Sequence, residues 1–391
     1  MIKSAATNSA AKPPPQVGNK SLSCVSLFSG GGGLDLGLEA AGFSTVFASD
    51  VDPYSCATLQ RGAKAAMKLG YPFLEDATIH CGDVRDLDSS FIEAATGIRP
   101  GEVDLLAGGP PCQAFSVFGK RQGTRDPRGG LVFEYIRLLA AIKPKSFVFE
   151  NVYGLMTVEG GAVFEKTLEA LAKPSSTLRY KLSVFRLNSS EYGVPQFRDR
   201  IFIIGSRDGV SVTEPPKICG DPAATDLKTN GLFPYRTVKQ AFSRIPSIGS
   251  SSMYNHTGRK HSQRIIDRYA KMKHGERDTH TRINKLNPDR PSFTIIVGSD
   301  KGGGKGHIHP HEPREVSPRE SARIQTFPDW WNFVGKVRHP IRQVGNAVPP
   351  LLGYAVGASI LKDIFNQQPN DFKSALSYLD QEHLFPELKH V

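Results

Sequence analysis

Two residues set the chemical question: Cys112, in Pro110-Pro111-Cys112-Gln113, and Glu150, in Glu150-Asn151-Val152, 38 residues further on. Each follows a short apolar run, Val103-Asp104-Leu105-Leu106-Ala107 in the first case and Phe147-Val148-Phe149 in the second. A thiol and a carboxyl carried by the ends of two buried strands read as a nucleophile and an acid or carboxylate sharing one cleft. An unpaired cysteine is most often a small buried hydrophobe. The two prolines before Cys112, and Gln113-Ala114-Phe115-Ser116 after it, argue for a rigid, exposed turn instead. Glu150 has a plain alternative as a salt-bridged or capping carboxylate. At the end of so apolar a strand, burial raises its pKa and lets it offer a proton.

These residues need a scaffold, and the first half of the chain supplies the pattern of one. Short β-rich runs at 23–27, 44–48, 79–81, 103–107, 146–149 and 200–205 alternate with helical stretches at 34–41, from Pro53 onward, and at 132–142. Strands alternating with helices predict an open, mostly parallel α/β sheet. From about 208 to 317 the chain turns rich in Pro, Gly, Ser and basic residues with no steady period. Periodicity returns at Ser317-Pro318-Arg319-Glu320, which spells a capping box with proline at the first helical position. The organisation expected is a tail over 1–20, a catalytic and cofactor-binding domain over 21–207, an irregular target module over 208–317, and a return to the first domain over 318–391.

Ligands of open α/β sheets bind at the carboxyl edge. Phe28-Ser29-Gly30-Gly31-Gly32-Gly33 follows the first strand and opens a helix, a turn whose backbone amides a ligand can approach. It lacks both GxGxxG spacing and a terminal GK[ST], which disfavours phosphate and leaves an adenosine-type ligand without phosphates. Asp50 ends the second strand and suits ribose hydroxyls; Asp83 ends the third and suits an adenine amine. Either aspartate alone reads more simply as a surface or capping residue, but Gly30, Asp50, Asp83, Cys112 and Glu150 are all expected on one edge. In Gln196-Phe197-Arg198-Asp199-Arg200, alternation puts Arg198 and Arg200 on one side, available to a phosphate or carboxylate.

Composition narrows the partners. The 391 residues are 39% hydrophobic and 22% charged, as in a globular enzyme with room for two domains. Five cysteines without a CxxC pair argue against a disulfide framework or a structural zinc site and favour a reducing cytosol. No metal is expected. Neither a secretory signal nor an apolar run near the ~20 residues of a membrane helix is read in the chain. The net charge of +11 is unevenly placed: residues 21–207 hold 20 Lys/Arg and 20 Asp/Glu, whereas 259–290 alone hold ten Lys/Arg against four Asp/Glu. Such a cluster suits a polyanion, although a solvated basic surface looks the same in isolation.

Together these segments resemble the cytosine-C5 DNA methyltransferases. Phe28 to Gly33 resembles the family's first motif, Gly108 to Ser116 its Pro-Cys motif, Glu150-Asn151-Val152 its ENV motif and Gln196 to Arg200 its QxRxR motif. Arg314 to Gln325 resembles the ninth motif and Gln343 to Val348 the tenth, so the likeness runs in order from about 22 to 360. It implies a Rossmann-like, S-adenosylmethionine-dependent sheet with a smaller target-recognition domain between the QxRxR and ninth motifs. Thr294-Ile295 resembles the family's Thr-Leu pair there, with isoleucine for leucine; Val316-Ser317 stands where Leu-Thr is common.

The same resemblance implies the roles. Cys112 attacks C6 of a flipped cytosine, Glu150 holds its N3 edge, and Arg198 and Arg200 bind near the base and its phosphate. Phe28 stacks on the cofactor adenine, Asp50 takes the ribose and Asp83 the amine, while Gly30, Gly33, Leu34, Val51, Val84, Leu131, Asn346 and Val348 complete the pocket. Gln113, Ser116, Lys120, Arg121, Arg125, Thr294 and Ile295 are the expected DNA contacts. The expected partner is double-stranded DNA, met by a monomer in a bacterial cytoplasm, at the nucleoid, without an obligate protein partner or a membrane. The compact length resembles modification enzymes of restriction systems. Two alternatives stay open: a transfer RNA methyltransferase of the same fold, whose Cys-Phe-Thr element is not found here, and a non-catalytic DNA-binding regulator.

Overall fold

The structure is a computed structural model and describes residues 21–111, 130–225, 227, 229–249, 252–295, 306–336 and 338–390. Its centre is a seven-stranded sheet built from β1 (Leu22–Leu27), β2 (Phe43–Asp50), β3 (Thr78–Cys81), β4 (Leu105–Gly108), β5 (Ser146–Val152), β6 (Lys181–Asn188) and β7 (Asp199–Ser206), in the order β3-β2-β1-β4-β5-β7-β6. The first five strands run parallel; β7 is antiparallel to both β5 and β6. The mostly parallel sheet read from the sequence is therefore present, with an antiparallel edge. β6 escaped the reading because it alternates half-buried and exposed residues rather than forming an apolar run.

Helices cover both faces. α1 (Gly33–Ala41) and α2 (Pro53–Leu69) lie on one side, and α3 (Ser89–Thr96), α4 (Leu131–Ile142) and α5 (Ala162–Ala172) on the other, giving two separate apolar cores. Local chemistry sets their ends. Asp52 caps α2 by accepting from the Tyr54 amide, with Pro53 at the first position, and Gly70 closes it at φ 77°.

Among the described residues the middle of the chain adds short elements: the two-residue strands β8 (Cys219–Gly220) and β9 (Phe233–Pro234), α6 (Val238–Ala241) and α7 (Gln263–Lys271). Tyr269, Ile283 and Ile308 form a small apolar centre of their own there. Regular structure resumes at α8 (Pro318–Ile324), which carries the capping box between Ser317 and Glu320.

α9 (Arg338–Asn346), α10 (Pro350–Phe365) and α11 (Phe372–Tyr378) follow. α10 presses on α1 so closely that a Cβ on Gly37 would lie 2.4 Å from the Pro350 carbonyl oxygen. The stretch Arg338–Phe365 corrects the sequence reading on one point, since it has the length and apolar character of a membrane span. Its most apolar window is 89% buried inside the molecule, and two prolines divide it, so its hydropathy belongs to core packing.

Candidate active site and cofactor cleft

Register fixes which residues share the carboxyl edge. Leu27 stands beside Ser49 and Gly108, Gly108 beside Phe149, and Asp50 beside Cys81. Phe28, Asp50, Asp83, Gly109 and Glu150 consequently leave the sheet at nearly one level. β1 sits where the strand order reverses, between β2 and β4, and that switch point opens a crevice.

On the β4–β5 side the site closes around Glu150. Glu150 is 8% exposed, and Arg200 Nε lies 2.9 Å from its Oε1. Burial pushes the Glu150 pKa up, opposed by the charges of Arg200 and Arg198. Gly109 lies flat against the other oxygen: a Cβ there would come within 2.6 Å of Oε2. Asn151 points its amide at the preceding turn and donates from Nδ2 to the Pro110 carbonyl at 3.1 Å. Cys112 lies outside the described residues, but the turn that leads to it is thus tied to the strand that carries Glu150. Gln113, Ser116, Lys120, Arg121 and Arg125 lie outside them as well.

The two arginines do different work. Arg200 serves Glu150, whereas Arg198 has no exposed surface and donates from Nη2 to the carbonyls of Gly345 and Ala347, at 2.8 and 2.9 Å. That guanidinium faces backbone carbonyls rather than solvent. Arg198 bolts β7 to the turn before α10 and stays close enough for its charge to act on Glu150.

Gln196, fully buried, joins the middle module to this edge. Its Oε1 accepts from the Ile295 amide at 3.0 Å, and the Thr294 hydroxyl donates to the Phe197 carbonyl at 2.7 Å. Thr294 is exposed and Ile295 buried, so of the pair only Thr294 offers a side chain to a partner.

Across the crevice, Phe28 holds φ 57°, a left-handed conformation costly for an aromatic residue, and Gly30 and Gly32 hold 55° and 81°. Asp50 maintains this turn, accepting from the Gly30 amide with Oδ2 and the Asp52 amide with Oδ1, each at 2.8 Å. Its second lone pairs remain for a ligand, and burial raises its pKa. Val51 is 68% exposed beside it, an apolar surface at the mouth of the cleft. Asp83 accepts from the Arg85 amide at 3.0 Å and pairs with its guanidinium at 2.9 Å. Leu131 is half-buried and Asn346 exposed, whereas Leu34, Val84 and Val348 are each under one-tenth exposed and back the wall. Gly33 meets the Val348 carbonyl so tightly that a Cβ would fall 2.1 Å from it.

These features fit an adenosine-type cofactor: an apolar rim, a fixed carboxylate and a glycine turn at a helix start. Among the described residues no group of three or more His, Cys, Asp or Glu is placed to hold a metal ion.

Sequence reasoning passed over three further residues. Gly109 and Asn151 stood inside recognised motifs without a role. Asp35, one of two carboxylates in the apolar helix α1 beside Glu39, is wholly buried, with no hydrogen-bond partner for either oxygen. Burial pushes its pKa up to about 6; the nearby Ser26 hydroxyl tempers this but pairs with Ser29 Oγ at 2.9 Å.

The family model of the C-5 cytosine-specific DNA methylases matches residues 22–362. The type II methyltransferase M.XorII of Xanthomonas oryzae pv. oryzae is 32% identical, over 91% of this chain and 88% of its own length. M.PspPI of a Psychrobacter species is 35% identical, over 90% and 82%. Among solved structures, a prophage-encoded E. coli protein described as a DNA modification methyltransferase superposes with a TM-score of 0.69 at 25% identity, covering 89% of this chain and all of that one. The Dnmt2 methyltransferase of S. pombe shares the fold, with a TM-score of 0.55 at 15% identity over 87% and 98%. A family match over most of the chain, with relatives above 30% identity across most of their own length, leaves one assignment: the chain belongs to the C-5 cytosine-specific DNA methylases and is a DNA (cytosine-5)-methyltransferase.

Proposed function

We propose that the enzyme methylates C5 of a cytosine flipped out of a specific duplex DNA sequence, through a covalent bond between Cys112 and C6. The observation that carries this reading is the Glu150 carboxyl, buried, gripped by Arg200 and joined through Asn151 to the turn that leads to Cys112. A buried carboxyl of raised pKa suits the N3 edge of cytosine, where it donates or shares a proton. Attack by the Cys112 thiolate on C6 then pushes electron density to C5. S-adenosylmethionine, when bound, supplies the electrophilic methyl group. Loss of the C5 proton expels Cys112 and restores the ring. Flipping costs a few kcal/mol, offset by binding of the extruded base.

Phe28, Asp50 and Asp83 would hold the cofactor's adenine, ribose and amine, with Gly30, Gly33, Val51, Leu131 and Asn346 around them. Lys120, Arg121 and Arg125 would close over the DNA with Gln113 and Ser116, and Thr294 would meet it from the other side. The division into a catalytic part over 21–207, a target module over 208–317 and a return over 318–391 belongs to the same proposal. So do a monomer acting in a bacterial cytoplasm and protection of host DNA within a restriction system, which the type II names of the relatives favour.

Cys112→Ser is the direct test. Tritiated methyl transfer to duplex DNA is expected to vanish while S-adenosylmethionine binding persists; turnover at the wild-type rate would overturn the nucleophile assignment. Transfer RNA offered in the same assay separates the two nucleic-acid substrates.

A further inference from the structure

After α7 the chain makes a tight turn over 277–284. Arg277 and Asn284 pair as an antiparallel bridge; the Asp278 amide donates to the Ile283 carbonyl and the Arg282 amide to the Asp278 carbonyl, both at 2.8 Å. The Asp278 side chain, 4% exposed, fastens the turn from within. It accepts from the Thr281 amide at 2.9 Å and from the Thr281 hydroxyl, and pairs with Arg268 of α7, whose Nε lies 3.0 Å from Oδ1. Thr279, His280 and Arg282 are left exposed at the tip, and Arg282 holds φ 60°. A non-glycine residue in that region is held there by the surrounding bonds, so its guanidinium starts from a fixed backbone.

The base of this turn is joined to the catalytic edge through His307, itself 2% exposed. The Asn284 amide donates to Nδ1 at 3.4 Å, and Nε2–H donates to the Thr294 carbonyl at 3.1 Å, which together require the neutral ring. Thr294 in turn bonds to Phe197, the neighbour of Arg198. A contact made at the tip is therefore linked, through three hydrogen bonds, to the segment that carries Arg198 and leads into β7 with Arg200.

The tip lies in the most basic part of the chain, where ten Lys/Arg face four Asp/Glu over 259–290, and Asp278 is already consumed by Arg268. Many exposed lysines and arginines can meet phosphates, and phosphate contacts need no fixed tip. A planar guanidinium on a fixed turn matches the paired O6 and N7 acceptors that guanine presents in the major groove.

We propose that the turn 277–284 is a base-reading element of this methyltransferase and that Arg282 reads a guanine edge within its recognition sequence. The inference rests on the reading that the substrate is duplex DNA, and its test checks the two separately. Wild type, Arg282→Ala and Arg282→Lys would each be incubated with S-adenosylmethionine and a pool of random-sequence duplexes, and methylated cytosines mapped by bisulfite sequencing. Retained S-adenosylmethionine affinity verifies folding of the variants. Wild type methylating one motif upholds the underlying reading. The alanine variant is then expected to accept other bases at a single position, with discrimination there falling about 10- to 100-fold, and lysine is expected not to restore it. An unchanged motif in both variants overturns the proposal. A loss uniform across sequences that lysine rescues overturns it too, because that is the mark of a phosphate contact. If wild type methylates no duplex, the substrate reading fails and the role of Arg282 falls with it.

Discussion

Gly109 and the Glu150 carboxylate occupy adjoining space that a single side-chain carbon would close: a Cβ on Gly109 would stand 2.6 Å from Glu150 Oε2. That glycine sits at the exit of β4 and the glutamate near the end of the neighbouring strand β5, so the contact presses the carboxyl against the turn that follows β4. Arg200 holds the opposite oxygen, and the carboxyl is fixed from two sides.

Gly109→Ala should displace the carboxyl without touching the cofactor side. A misplacement of about 1 Å at a catalytic group costs on the order of 100-fold in rate. Single-turnover methyl transfer is expected to fall by about that factor, with the S-adenosylmethionine dissociation constant unchanged. A normal rate would mean that the position of Glu150 does not govern the reaction.

Asp50 carries two duties, orienting the Gly30 turn and offering its remaining lone pairs to a ligand. Hydrogen bonds to a charged group contribute about 1.5–3 kcal/mol. Asp50→Ala should therefore weaken S-adenosylmethionine binding by roughly 10- to 150-fold on that scale, as read by calorimetry. Wild-type affinity in a folded variant would remove Asp50 from the cofactor site.

Asp35 should make stability depend on pH. Its folded-state pKa, about 6, lies above its unfolded value, so the carboxyl destabilises the fold once the unfolded chain ionises. The penalty is absent below about pH 4, grows as pH rises, and saturates above about pH 6 at about 3 kcal/mol. Asp35→Asn should accordingly gain stability relative to wild type as pH rises across that window, measured by urea unfolding at pH 4.5 and pH 7.5. A constant difference between the two proteins would show that Asp35 does not titrate there.

Much of this arrangement was legible in the residues. The apolar runs that became β1, β4 and β5 are buried on both faces, which makes their pattern plain, while β2 buries one face and half-buries most of the other; β7 was found for the same reason as the first three. β6 was not, because an antiparallel edge strand carries a weaker signal. Order and spacing put Asp50, Asp83 and Glu150 on the carboxyl edge: Asp50 ends β2, Asp83 lies two residues past β3 and Glu150 two before the end of β5. What local pattern could not reveal were contacts across the fold. Alternation put Arg198 beside Arg200, but only the packed structure brings it to Gly345 and Ala347, 147 and 149 residues away. The buried carboxylate of Asp35 was hidden in the same way, because its lack of partners depends on everything packed around α1.

The central claim is the covalent bond between Cys112 and a cytosine ring. Duplex DNA of random sequence with 5-fluorocytosine in place of cytosine, incubated with the enzyme and S-adenosylmethionine, should trap that bond because fluorine cannot leave as a proton does. Mass spectrometry of the digested complex is expected to find the nucleotide attached to the peptide containing Cys112, in a denaturation-resistant adduct. No adduct from an enzyme that methylates ordinary duplex DNA, or an adduct at Cys24, Cys56, Cys81 or Cys219, would contradict the mechanism.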